Sequence, residues 1–357
     1  MITIQKIFLD GSKLLYHLPV VEDWLSGKDI FPIHVEISPS SSCNQKCILC
    51  CVDYKNHKPN FLSEGVLLNL VRDFKEYGVK SFLLAGEGEP LLNKAIVAML
   101  EESSRLGVDA ALNSNAVLLS KEISDRILPA LTWARFTFQA ANSQLYSKIH
   151  QAPKEHFEKA VENVRRAVEI KKKKKLNVTI GIQQILINEN RGQEVYNVAK
   201  LSKDIGVDYF VIKRFSKHPD NKYDCPEDLY LGCIEIFKKI ENELQDDNFK
   251  VIVRWRQFQE DCYRIYKKCI GLPFITQVLA DGGIHPCCQF FGRKDLCYGN
   301  LYEQSFKDIW LSQKRKDIIR YIEENVDVTK CMTYCRHHST NQFLWPFLNK
   351  PEHINFI

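Results

Sequence analysis

Three cysteines stand close together in Cys43-Asn44-Gln45-Lys46-Cys47-Ile48-Leu49-Cys50, separated by three residues and then by two. Thiols at such spacing can hold metal. A tetrahedral zinc site needs a fourth donor nearby, and Cys51 or His57 could supply it. A cubane iron–sulfur cluster held by only three thiolates keeps one iron open for a further ligand. A second set lies downstream: Cys269, twelve residues, Gly282, four residues and Cys287, then Cys331 and Cys335 three residues apart. The simplest alternative there is a four-cysteine zinc site, with Cys288 and Cys297 as substitute ligands. Between the two sets come the polar motifs Gly86-Glu87-Gly88-Glu89-Pro90 and Asn113-Ser114-Asn115, the pair Thr137 and Gln139, and then Lys213 with Arg214.

These residues need elements to hold them. From residue 31 to 213 the pattern alternates strand and helix. His34-Val35-Glu36-Ile37 reads as a strand. Ser63 can cap a helix whose apolar face is Val66, Leu67, Leu70, Val71 and Phe74, with Gly78 as its stop. Strands follow over 79–84, 108–112, 133–138, 176–185 and 207–213, with helices over 95–106, 121–128, 156–172 and 194–205. Such alternation predicts a parallel sheet. Six repeats fall short of the eight of a closed (β/α)₈ barrel, so the expectation is an α/β fold with a partial (β/α)₆ TIM-like barrel. Each polar motif then lies just after a strand, on the barrel face where ligands bind. Alternation also turns His34 and Glu36, and Thr179, Gly181 and Gln183, toward one side.

Length and composition narrow the class. The chain has 357 residues, 49 Lys+Arg against 44 Asp+Glu, and 13 cysteines. With 45% apolar residues it is an ordinary globular sequence and not a disordered one. The charge balance gives no push toward nucleic acid, and the 171–175 lysine run suits a helix C-terminus and lacks interleaved aromatics. No apolar run approaches a membrane span, and the N-terminus has no signal-peptide core. The expected location is the cytoplasm, where thiols stay reduced and clustered cysteines are ligands rather than bridges.

CxxxCxxC after the first strand of a six-fold βα chain resembles the radical S-adenosylmethionine (SAM) superfamily. The resemblance implies that Cys43, Cys47 and Cys50 hold a [4Fe–4S] cluster whose free iron chelates SAM. Gly86, Glu87, Gly88 and Glu89 look like the family's GGEP-type loop, with Glu87 or Glu89 on the methionine amino group. Asn113 and Asn115 stand where the family contacts ribose. Thr137 and Gln139 match its Ser-x-Asp pair, with Gln139 in place of Asp, and Leu49 replaces the usual aromatic before the third cysteine. The C-terminal cysteines resemble the SPASM/Twitch extension, which implies one auxiliary [4Fe–4S] cluster on Cys269, Cys287, Cys331 and Cys335. Cys51, Cys225, Cys233, Cys262, Cys288 and Cys297 remain, mostly as plain buried thiols.

The domain organisation expected is an N-terminal extension (1–30), the radical SAM barrel (31–215), a helical linker (216–262), the small iron–sulfur domain (263–340) and a tail (341–357). The activity implied is reductive SAM cleavage to a 5′-deoxyadenosyl radical and hydrogen abstraction from a substrate. About thirty residues precede the first strand, too few for a leader-binding domain, which favours a carbohydrate or aminocyclitol over a peptide. Oxidation of a hydroxyl-bearing carbon is the expected reaction, with Lys213 as a candidate proton acceptor and a flavodoxin or ferredoxin as electron donor. The rivals are a sugar or cyclitol epimerase, a peptide-modifying enzyme, and a zinc-stabilised binding protein without chemistry.

Overall fold

In β1 (His34–Ile37) the burial alternates. Val35 and Ile37 are fully buried in the main core, while His34 and Glu36 face an internal cavity. This two-residue period sets the whole architecture, because apolar residues on the other face need a helix over them. The chain was obtained as a computed structural model that describes residues 11–52, 59–259 and 263–356. His57 and Cys262 lie outside the described residues.

The strands β2 (Ser81–Leu84), β3 (Asp109–Ser114), β4 (Trp133–Thr137), β5 (Thr179–Leu186) and β6 (Tyr209–Arg214) follow β1 in order, each parallel to the last. The intervening helices form where the periodicity predicts them. Ser63 Oγ caps the helix Glu64–Tyr77 by accepting from Val66 N, and Gly78 ends it in the left-handed region. The expected helical linker (216–262) contains a shorter helix. It runs Ile234–Leu244, behind a 3₁₀ stretch Glu227–Cys233 that contains Gly232.

Two strands extend the parallel run beyond the six expected. β7 (Lys250–Val253) adds to β6, and β8 (Ile275–Val278) pairs parallel with β1 from the C-terminal region. β9 (Gly283–His285) and β10 (Gly299–Asn300) then continue antiparallel, so the ten strands among the described residues make one sheet in the order 10-9-8-1-2-3-4-5-6-7. β7 is a free end of this order and is not bonded to β8, so the barrel stays open. Residues of the 3₁₀ turn Gly11–His17 and of the last helix, Arg336–Leu348, line the cavity as well. No helix among the described residues is long and apolar enough to cross a membrane.

One glycine controls the lumen. A Cβ on Gly181 would come within 2.2 Å of the Tyr209 ring, which lies over β5 because that position has no side chain. Gly181→Ala must push the ring into the cavity, at an overpacking cost of about 1–3 kcal/mol. A chemical denaturation curve should record that loss, and an unchanged midpoint would contradict the packing described.

Candidate active site

The loop after β1 is clamped to the loop after β2. Glu89 N donates to Ser42 O at 2.8 Å, and Glu87 N donates to Ser38 Oγ at 3.1 Å. The approach needs glycine. Gly86 has φ of 102°, and a Cβ there would meet Ser38 Oγ at 1.9 Å. A Cβ on Gly88 would meet the backbone oxygen of Ser42 at 2.1 Å and that of Ser40 at 2.7 Å. The glycines of Gly-Glu-Gly-Glu-Pro therefore bring this loop against the segment leading into Cys43.

The cysteine loop itself is pinned by a helix that the sequence pattern did not indicate, Ser143–His150, capped by Asn142 accepting from Leu145 N. Its last turn receives Lys46 N and Ile48 N on the oxygens of His150 and Ile149. His150 Nδ1 lies 3.2 Å from Cys47 Sγ and 2.9 Å from Gln45 Oε1. Gln45 Nε2 donates to Tyr146 OH at 2.9 Å, and the Tyr146 ring stacks on His150 at 4.0 Å. Burial pushes His150 down to about 3, so the ring is neutral. Cys43, Cys47 and Cys50 are close enough to interact: after burial, the other two thiols are the next causes that raise Cys47. Cys51 is exposed.

The two glutamates of the motif part ways. Glu89 lines the cavity, and its carboxylate accepts from Leu91 N at 3.1 Å, Ser114 Oγ at 2.7 Å and Asn115 N at 2.9 Å. Burial raises its pKa while the three donors oppose that. Glu87 instead accepts from Ala280 N at 3.0 Å and ties the loop to the β8–β9 turn. Asn115 reaches Asn44 Oδ1 at 2.6 Å, beside Cys43. Asn113 accepts from Arg135, and Thr137 from Gln183. Gln139 is buried and accepts from Ile185 N at 3.0 Å, which ties it to β5.

The downstream cysteines also assemble. Cys335 raises Cys269, Cys331 raises both, and Cys288, then Cys269 and Cys335, raise Cys287, all after the larger effect of burial. Burial pushes Cys269 up to about 12 and Cys335 up to about 11. Asn341 Nδ2 donates to Cys269 Sγ at 3.3 Å, and Arg264 holds the oxygens of Cys331 and Met332 at 3.0 and 2.9 Å. Cys288 contacts Met332 and faces the cavity, while Cys297 bonds Gly299 O. Among the described residues no three Cys, His, Asp or Glu side chains converge on a single-ion site. Cysteine thiolates are the donors that hold iron–sulfur clusters, so the residues present fit such a group.

One cavity of about 1490 Å³ is lined by Cys43, Cys47 and Cys50 and, of the downstream set, by Cys335 alone, with the spare Cys288 beside it. Lys213 lines it, and burial followed by Arg254, Arg135 and Arg336 pushes its amine down to about 7. Sequence reasoning missed Arg135, Arg254, Arg336, Tyr146 and His150. The lumen parity of β4, shared by Trp133, Arg135 and Thr137, was the available signal for Arg135.

Two outcomes test this geometry. Gly88→Ala should displace the Ser40–Ser42 backbone and lower iron bound by the reconstituted protein; full iron loading would refute the clamp. Wild type should bind about eight irons per chain, falling to about four when Cys331 and Cys335 are both replaced by serine. Equal iron contents would remove the auxiliary site.

Residues 37–191 match the radical SAM superfamily, and residues 269–337 match the SPASM iron–sulfur cluster-binding domain. A probable GTP 3′,8-cyclase of Saccharolobus islandicus (strain M.14.25 / Kamchatka #1) is 24% identical over 175 residues, 48% of this chain and 54% of that protein. An S-adenosylmethionine-dependent nucleotide dehydratase of Flammeovirga pacifica is 27% identical over 124 residues, 33% of this chain and 42% of that protein. The chain thus spans about half the length of the curated relatives it matches. Streptococcus suis SuiB bound to S-adenosylmethionine shares the fold with a TM-score of 0.66 at 18% identity, over 88% of this chain and 75% of that one. anSMEcpe with bound AdoMet does so with 0.57 at 17%, over 89% and 98%. The two domains imply a SAM-binding [4Fe–4S] cluster, SAM and an auxiliary iron–sulfur cluster. This chain carries a radical SAM domain followed by a C-terminal SPASM iron–sulfur domain.

Proposed function

We propose that this protein cleaves SAM reductively and oxidises a hydroxyl-bearing carbon of a small carbohydrate- or aminocyclitol-like substrate to a carbonyl. The observation that carries this reading is a single cavity that reaches both cysteine groups and also contains Lys213. When bound, the first cluster and SAM supply a hydrogen-abstracting radical, and the auxiliary cluster accepts the remaining electron. The chain does the rest. Cys43, Cys47 and Cys50 hold three corners of the first cluster, and Cys269, Cys287, Cys331 and Cys335 hold the second. The backbone at Gly86 and Gly88 and the anchored carboxylate of Glu89 hold the methionine end of SAM, and Asn113, Asn115 and Thr137 border its ribose. Glu87 and Gln139 act through the loops they fix. The barrel over 31–215 carries SAM and the region over 263–340 carries the second cluster.

The balance closes on three acceptors. One hydrogen atom would leave carbon for the radical that bound SAM supplies, the hydroxyl proton would pass to Lys213 Nζ, and a cluster held by Cys269, Cys287, Cys331 and Cys335 would supply the acceptor for the remaining electron as the C=O bond forms. A lysine near pKa 7 suits this task, because enough of it is neutral to accept a proton. A flavodoxin- or ferredoxin-like protein is the electron source we assign. The described cysteines are free thiols, which suits a cytoplasmic location.

A peptide-modifying role is the second reading, because SuiB has also been solved bound to the precursor peptide SuiA. The curated relatives are instead named for a GTP cyclase and a nucleotide dehydratase. A panel of polyols, aminocyclitols and peptides, assayed for 5′-deoxyadenosine formed together with a carbonyl product, separates these readings. Deuterium from D₂O in an unoxidised product would replace oxidation with epimerisation. Lys213→Met should keep uncoupled 5′-deoxyadenosine release and lose about 10²–10⁴-fold in carbonyl formation. In wild type the carbonyl rate should rise through about pH 7 as the amine loses its proton. A rate that is flat across that range would exclude Lys213 as the base.

A further inference from the structure

Two guanidinium groups in the cavity have no carboxylate partner. Arg135, in β4, is 7% exposed, and its Nε donates to Asn113 Oδ1 at 3.1 Å. Arg254 follows β7, where its backbone N–H donates to Ile212 O at 3.2 Å. Its side-chain Nε is buried with no hydrogen-bond partner. Neither arginine joins an ion pair among the described residues. The nearby carboxylates are already engaged. Glu36 is paired with Arg336 and accepts from Gln277, and Glu89 is held by Leu91 N, Ser114 and Asn115.

A buried amine can escape this situation by losing its proton, as Lys213 partly does. A guanidinium cannot, so a buried Arg135 and a half-buried Arg254, neither with a counter-charge, favour the arrival of an anion. The two sense each other: after burial, Arg135 and Arg336 are the next causes that lower Arg254. One carboxylate would neutralise only one of them. A phosphoryl group carries up to two negative charges and oxygens that match the guanidinium fork.

We infer that Arg135 and Arg254 form the subsite for a phosphoryl group, so that the substrate taken into this cavity is a phosphorylated small molecule. The inference rests on the hydrogen-abstraction reading above. It puts the phosphoryl group on the β4 and β7 side of the lumen, with the reacting hydroxyl at Lys213 on β6 between them in the sheet.

The test is calorimetric titration of the anaerobically reconstituted full chain with inorganic pyrophosphate, alongside SAM. Wild type should bind pyrophosphate saturably at one site. Arg254→Gln should weaken that binding by about tenfold or more while leaving SAM affinity unchanged, and Arg254→Lys should recover part of the loss. No saturable binding by wild type overturns the proposal, as does wild-type affinity in Arg254→Gln. Loss of SAM affinity instead would assign the arginines to the SAM carboxylate and also overturn it. Tighter binding of triglutamate than of pyrophosphate would replace the phosphoryl group with an acidic peptide. Uncoupled 5′-deoxyadenosine release from the same wild-type preparation tests the functional reading separately, since it requires no phosphorylated substrate.

Discussion

The contact of the Gly86–Glu89 backbone with the Ser38–Ser42 backbone is the constraint on which the site depends. The two strand-end loops can lie this close only because the loop after β2 carries no side chain at the crossing, and Gly86 and Gly88 meet that condition. The hydrogen bond from Glu89 N to Ser42 O then fixes where the cysteine loop begins. The same residue's carboxylate reaches Ser114 and Asn115 beyond β3. One glutamate thus joins the ends of three consecutive strands, and the cysteine loop inherits its position from them. The Tyr146–His150 stack closes the other side of that loop.

The cavity is the second organising feature. Its cysteines gather at two places, while the intervening wall carries Arg135, Lys213 and Arg254. These cations lie within mutual influence, and the result is a lysine with an unusually low affinity for its proton. Burial supplies most of that shift, and like charge supplies the rest. Arg336 is the exception, because Glu36 neutralises it across the β1 edge of the lumen. The polarity is therefore uneven, with paired charge near β1 and uncompensated charge near β4 and β7.

Glu87 links the barrel to the region that follows it. Its side chain bonds Ala280 N in the β8–β9 turn, and β8 itself pairs with β1. The iron–sulfur domain is thus attached through the first strand of the barrel, next to the cysteine loop. The cysteine loop after β1 is held by backbone hydrogen bonds to His150 and Ile149, and the downstream cysteines by the side chains of Asn341 and Arg264.

Much of this was legible in the residues themselves. The six central strands, the caps at Ser63 and Gly78, the cysteine spacing and the glycine-rich loop follow from local periodicity and local backbone chemistry, which a sequence carries directly. β7 and β8 were not legible, because strands of only four residues take their identity from the partners they pair with. The helix Ser143–His150 is only eight residues long, so its periodic pattern is weak. Which glutamate faces the cavity, and the fact that Arg135, Arg254 and Lys213 share a lumen, depended on closing the sheet. Sequence determined the chemical types and their strand-end placement, because those depend on neighbours a few residues away. Tertiary structure alone decided charge pairing, burial and the shift of Lys213, because these depend on groups more than forty residues apart brought into one desolvated space.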